Sequence, residues 1–158
     1  KDPEGVMIVA PSDHVVFKDN IFEDNLNTAV EAAQGSQKLI TLGIVPSRPE
    51  TGYGYIQYHS SSEEKVKKVK TFTEKPEMNL AKKFIESGDF VWNAGIFIWS
   101  VDTITKAFHE YLKDIAVIFE EGEGKYYTTD EQGFIDRAYT QCKSISIDYG
   151  IMEKAEDV

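Results

Sequence analysis

Residues Phe90–Ser100 read FVWNAGIFIWS, the most apolar run in the chain. Aromatic and β-branched side chains fill it, and a Gly-Asp pair precedes it. That composition predicts a buried strand rather than a helix. One polar residue, Asn93, sits in its middle, shortly before Gly95. An amide carries two donor hydrogens and an acceptor oxygen, so a buried one needs several partners. Asn93 is therefore either a satisfied core or bulge residue, or a contact for something bound.

The flanking segments supply the rest of the fold. Gly5–Ala10 (GVMIVA) reads as a buried, central strand stopped by Pro11. In Ile21–Ala33, Phe22, Leu26, Ala29, Val30 and Ala33 recur at helical spacing on one face. Asp19 or Asn20 can cap that helix and Gly35 can end it. KLITLGIVP, closed by Pro46, is the next buried strand. Strand, helix, strand in that order is a crossover unit, which predicts at least a partly parallel sheet. Then come YIQYH, a polar SSSEEK turn and VKKVKTFTEKP as shorter strands. NLAKKFIESG follows as a short helix with Leu80, Phe84 and Ile85 inward. After this strand, expected over roughly Phe90 to Trp99, one long helix is expected from about Val101 to Glu121. Its core face would hold Ile104, Phe108, Tyr111, Leu112, Ile115 and Phe119. A short helix around Phe134 and Ala138 and a helix start at Asp148 complete the chain. The pattern predicts a single α/β domain over residues 1–158, with a mixed, mostly parallel sheet flanked by helices.

Composition narrows the function. Of the 158 residues, 41% are hydrophobic and 28% charged, as in ordinary soluble domains. A formal net charge of −10 argues against nucleic-acid binding through a general basic surface. No apolar run approaches the roughly 20 residues that span a bilayer, so no membrane partner is expected. Cys142 is the only cysteine; with no disulfide and no pattern of signal-peptide type, the expected location is the cytoplasm. The chain opens almost directly on a strand without Met, and is read as a piece of a longer protein.

In open α/β sheets, ligands bind beyond the carboxyl ends of strands. Polar residues and glycines gather at such places here: Asp13 and His14 after the first strand, Gly52 and Gly54 around Tyr53, Glu74 and Lys75 before Pro76, Asn93 and Gly95, and Asp148. Taken singly, each has an ordinary structural role as a cap, turn or surface ion pair. Taken together, Asp13 and Asp148 are hard oxygen donors for a divalent cation such as Mg2+. Lys75 is a point charge for a phosphate. Glu74 and Asn93 suit sugar hydroxyls, and the glycines admit a ligand close to the backbone. There is no Ser–His–Asp order, activated cysteine or zinc spacing.

Five blocks in order, VMIVAPSDH, ETGYGYI, FTEKP, FVWNAGIFIW and SIDYGIMEK, resemble the mannose-1-phosphate guanylyltransferases within the sugar nucleotidyltransferases. The resemblance implies a Rossmann-like nucleotide-diphospho-sugar transferase fold, here a partial domain. It implies an enzyme that takes GTP and mannose 1-phosphate to GDP-mannose and pyrophosphate, with Mg2+ as cofactor. It implies Lys75, Asp13 and Asp148 as catalytic residues, the two aspartates as metal ligands. Tyr53, Gly54, Glu74, Lys75 and Asn93 would bind the sugar phosphate, Gly54 through its backbone. A homodimer of the full-length protein is one arrangement the resemblance allows.

Two departures qualify the resemblance. The family's GGxGTRLWPLSR-type loop, which cradles the nucleotide and carries a catalytic Arg, is absent, and PSDH stands where PADH is usual. The chain is therefore expected to hold the sugar and metal part of a site and to be inactive alone. Two alternatives remain: a sister enzyme making dTDP-, UDP- or ADP-glucose, and a non-catalytic regulatory homologue. A metal-dependent glycosyltransferase would show an Asp-x-Asp motif, which PSDH does not supply.

Overall fold

In a computed structural model, the apolar run is a strand of 11 residues on which the sheet is built. The structure describes residue 2, residues 4–60 and residues 64–158; the SSSEEK turn falls in part on positions 61–63, outside the described residues. The strands are β1 (Val6–Val9), β2 (Ile40–Ile44), β3 (Tyr55–Tyr58), β4 (Val69–Thr73) and β5 (Phe90–Ser100). Helix α1 (Asp19–Ala33) joins β1 to β2, and α2 (Met78–Ser87) joins β4 to β5.

The α/β class holds, but the strand directions differ from expectation. Every pairing between described strands is antiparallel. Phe97 and Ile98 pair with β1 and also with β2, so these two strands lie on opposite edges of β5. Both oppose β5 and so run parallel to each other, as a crossover through α1 requires. The last strand in sequence has inserted between them, which no local pattern of β1 or β2 could announce.

A second correction concerns β1. It is not central: its only partner among the described strands is β5. Met7, Ile8 and Val9 are each more than 40% exposed. An apolar strand marks a face able to be covered, not the element that covers it.

Around β5 the packing follows the sequence closely. Ala29 and Ala33 of α1 bury against Ile40, Ala94, Ile96 and Ile98, with Phe22, Leu26 and Val30 at the margin. Small residues on the helix let it approach the sheet closely. Tyr55, Ala81 and Trp92 form a second cluster, flanked by Phe84 and Phe90. Here Ala81 is the inward residue of α2, while Leu80 is exposed. Full burial of a side chain such as Ile98 is worth roughly 1.5–3 kcal/mol, and Ile98 has no exposed surface. α2 ends at Gly88 with φ 77°, a left-handed cap that glycine adopts without strain.

The chain divides into two compact units, the second being Ile104–Ala155. The long helix expected there is two: α3 (Val101–Tyr111) and α4 (Lys113–Glu120). Leu112 breaks it at φ −135°, outside the helical region. α5 (Glu131–Gln141) buries Phe134 and Ala138 as the spacing predicts. Gly122 lies against the Phe134 ring, where a Cβ would overlap the ring atoms. The last element is a π-helical turn, Asp148–Met152, rather than the start of an α-helix.

Candidate functional site

β5 is longer than its neighbours, and this creates the site. On the edge opposite β2, β1 pairs with Phe97–Ser100 and β3 pairs with Phe90–Trp92. Between them, residues 93–96 of β5 face the gap where β1 leaves and β3 begins. The pairing with β2 is irregular at the same place: Thr41 opposes Phe97, but Gly43 opposes Asn93. Two residues of β2 thus span four of β5, and β5 bulges over Ala94–Ile96. Gly95 takes φ +66°, a conformation that an L side chain would strain.

Asn93 organises this bulge. Its Oδ1 accepts the Gly95 N–H at 3.1 Å and the Thr41 hydroxyl at 3.1 Å. The Thr41 hydroxyl also reaches the Ile96 carbonyl at 3.2 Å. Of the two readings the sequence allows, the bulge residue is therefore realised, through the oxygen. Thr41 has no signal in the sequence, because its partner is 52 positions away.

Other sequence candidates converge on the gap. The Asn93 N–H donates to the Gly54 carbonyl at 2.9 Å. A Cβ on Gly54 would lie 2.6 Å from Glu74 Oε2 and 3.5 Å from Asn93 Cβ. A side chain at position 54 would push the Glu74 carboxylate from its place beside Asn93. The Lys75 N–H donates to the Tyr53 carbonyl at 3.2 Å. Lys75 Nζ pairs with Glu74 Oε1 at 3.1 Å; the Glu74 side chain is largely covered and that of Lys75 is 64% exposed. Lys75 also holds φ +45°, and left-handed backbone costs a non-glycine residue roughly 1–2 kcal/mol. Strain of this kind persists where surrounding contacts impose it; here the Tyr53 carbonyl and the buried Pro76 do so.

Pro11, at the exit of β1, lies near the same bulge: a Cβ on Gly95 would lie 3.7 Å from Pro11 Cγ. Asp13 and His14 follow on an exposed turn. Asp148 belongs to the second unit, where it opens the π turn and its carbonyl accepts the Glu153 N–H at 2.9 Å. Among the described residues no three acidic, histidine or cysteine side chains cluster as a ready metal cage. Magnesium commonly takes one or two carboxylates and leaves its other positions to water and substrate phosphates, and an aspartate such as Asp13 or Asp148 is an oxygen donor of that kind.

The loop before Gly54 adds residues that sequence reasoning passed over. The Arg48 guanidinium lies 5.7 Å from the Trp92 ring centre, and Tyr53 meets that ring edge-on at 5.2 Å. Glu50 accepts N–H bonds from Thr51 and Gly52 and from Arg48 Nη2. The Gly52 N–H holds the Glu50 carboxyl below its ordinary pKa; burial opposes it, and Arg48 and the Thr51 N–H add to the lowering. A charge pair directly before Gly-Tyr-Gly is the signal that could have found them.

No described helix is long and apolar enough to cross a membrane. Residues 3–136 match the family described as nucleotidyl transferase. The chain is 36% identical over 157 residues to a mannose-1-phosphate guanylyltransferase of Escherichia coli, covering 96% of this chain and 34% of that protein. It is 33% identical to the xanthan biosynthesis protein XanB of Xanthomonas campestris pv. campestris, covering 96% of this chain and 32% of that one. A crystal structure from Thermus thermophilus, named as a mannose-1-phosphate geranyltransferase, superposes with a TM-score of 0.85 at 34% identity, covering 96% of this chain and 42% of that one. The chain spans about a third of the length of the curated relatives it matches. The resemblance read from the five sequence blocks thus holds, and the chain belongs to the nucleotidyl transferase family.

Proposed function

We propose that this chain carries the sugar-phosphate part of a nucleotidyltransferase that makes GDP-mannose and pyrophosphate from mannose 1-phosphate and GTP. The observation that carries the reading is the meeting of Gly54, Glu74 and Asn93 at the β5 bulge, with Lys75 held beside them. The names of the relatives support mannose and GTP as the substrates.

The chemistry asks little of side chains. A phosphate oxygen of the sugar attacks the α-phosphorus of the nucleotide, and pyrophosphate leaves with the electron pair of the broken bond. The attacking phosphate monoester is already ionised, so neither a protein nucleophile nor a general base is needed. What remains is alignment and neutralisation of crowded charge. Glu74 accepts from sugar hydroxyls, the Asn93 side chain contacts them at the floor of the gap, and Gly54 and Tyr53 bring backbone to the ring. Lys75 exchanges its partner Glu74 for the sugar phosphate, which its exposed side chain can reach. Asp13 and Asp148 would hold Mg2+, which supplies charge stabilisation to the phosphates. The expected setting is the cytoplasm.

The test is Lys75→Ala in the full-length protein. KM for mannose 1-phosphate should rise about tenfold or more, as loss of a charge-assisted contact implies, with KM for GTP little changed. An equal rise in both, or none, would overturn the sugar-phosphate reading.

A further inference from the structure

The mannose-phosphate reading accounts for residues at the gap but not for the loop that presents Gly54 there. Between Arg48 and Gly54 the chain has no strand or helix to hold it. One side chain replaces that support. Glu50 Oε1 accepts the N–H of Thr51 at 3.1 Å and of Gly52 at 3.2 Å. Its Oε2 takes Arg48 Nη2 at 3.2 Å. Its own N–H donates at 2.9 Å to the hydroxyl of Tyr55, a side chain with no exposed surface. A single residue therefore ties both sides of the turn, and ties the turn to the core.

The ring of Trp92 is the second anchor. Arg48 lies over it, and Tyr53 meets it edge-on, so both ends of the loop rest on one buried side chain. Trp92 immediately precedes Asn93, whose N–H is bonded to Gly54. Any change in how the loop sits on Trp92 is thereby felt at the Gly54 carbonyl and at the Tyr53 carbonyl that holds the Lys75 N–H.

We propose that Glu50 is a positioning residue of the sugar-phosphate site: its carboxylate shapes the Thr51–Gly54 turn, with Arg48 and Trp92 as its anchors, so that Tyr53, Gly54 and Lys75 are presented at the gap. The inference rests on the mannose 1-phosphate reading above. It requires the reach of an acceptor oxygen at position 50, because two backbone donors point at it. It gives Glu50 no contact with substrate.

The test compares Glu50→Met with Glu50→Gln in the full-length protein, with Lys75→Ala alongside. Met keeps the length of the side chain and removes the acceptor; Gln keeps an acceptor oxygen and removes the charge. Glu50→Met should raise KM for mannose 1-phosphate about tenfold, with KM for GTP within about twofold and a thermal melt close to wild type. Glu50→Gln should recover most of that loss. If Lys75→Ala keeps its selective effect, three results overturn the Glu50 assignment alone: an unchanged KM in Glu50→Met, a Gln variant no better than Met, or a collapse of the melt that makes Glu50 a support of the whole fold. If Lys75→Ala shows no selective effect, the mannose-phosphate reading fails, and this inference fails with it.

Discussion

Asn93 holds the fold together at the place where the sugar-phosphate site is proposed. Its oxygen is engaged by Gly95 and Thr41, which close the bulge. Removing that acceptor leaves the Gly95 N–H to find water or go unpaired, a cost of about 1–3 kcal/mol, while the Thr41 hydroxyl keeps the Ile96 carbonyl. Asn93→Ala should therefore lower the melting temperature as well as weaken mannose 1-phosphate binding. Asn93→Asp separates the two effects. It keeps an acceptor for Gly95 and Thr41, so the melt should stay near wild type. It replaces the amide donor with a second carboxylate in the neighbourhood of Glu74, so affinity measured by calorimetry should fall. An Asp variant that binds normally would confine Asn93 to the bulge. The same duality explains why the sequence left its role open: an amide in an apolar strand announces a need for partners, not which partners meet it.

At the scale of elements, the turn from α2 into β5 has its own fastening. Asp89 Oδ1 accepts the Ser87 hydroxyl and Oδ2 accepts the Gln57 amide, both at 2.7 Å. Ser87 first, then Gln57, lowers the Asp89 pKa below its usual value of 3.8, against a smaller effect of burial. A carboxyl with a lowered folded pKa favours folding above its unfolded pKa, and that contribution fades as pH falls through the folded value. Thermal melts taken from pH 5 down to pH 2, a range of about three units that brackets the transition, should show an acid-side decline. Asp89→Asn should flatten part of it. An identical pH profile in the variant would mean that the turn is held otherwise. The elements themselves were largely legible. α1, β5 and α5 follow from spacing and turn residues, and Gly88 marks a helix end correctly. The expected single helix over Val101–Glu121 failed because Leu112 is an ordinary helix former whose dihedral angles are set by its surroundings.

For the whole molecule, the expectation concerns what the chain can do by itself. It is about a third as long as its curated relatives and contains no Gly-rich nucleotide loop. On the proposed function, the purified chain of 158 residues should form no detectable GDP-mannose from mannose 1-phosphate, GTP and Mg2+, while the full-length protein should. Turnover by the isolated chain would mean that the nucleotide site is built from residues present here. Local sequence determined the α/β class, most element positions and the inventory of polar residues, because periodicity, β-propensity and turn chemistry act over a few residues. Tertiary structure alone decided that β5 lies between β1 and β2, that β1 is an exposed edge, and that a gap opens at Asn93. Those outcomes depend on pairings such as Val6 with Ser100 and Thr41 with Phe97, and hydrogen bonds between distant strands leave no mark in either strand's own pattern. Glu50 belongs to the same class, since a carboxylate beside Gly-Tyr-Gly becomes a clamp only once Tyr55 and Trp92 are buried around it.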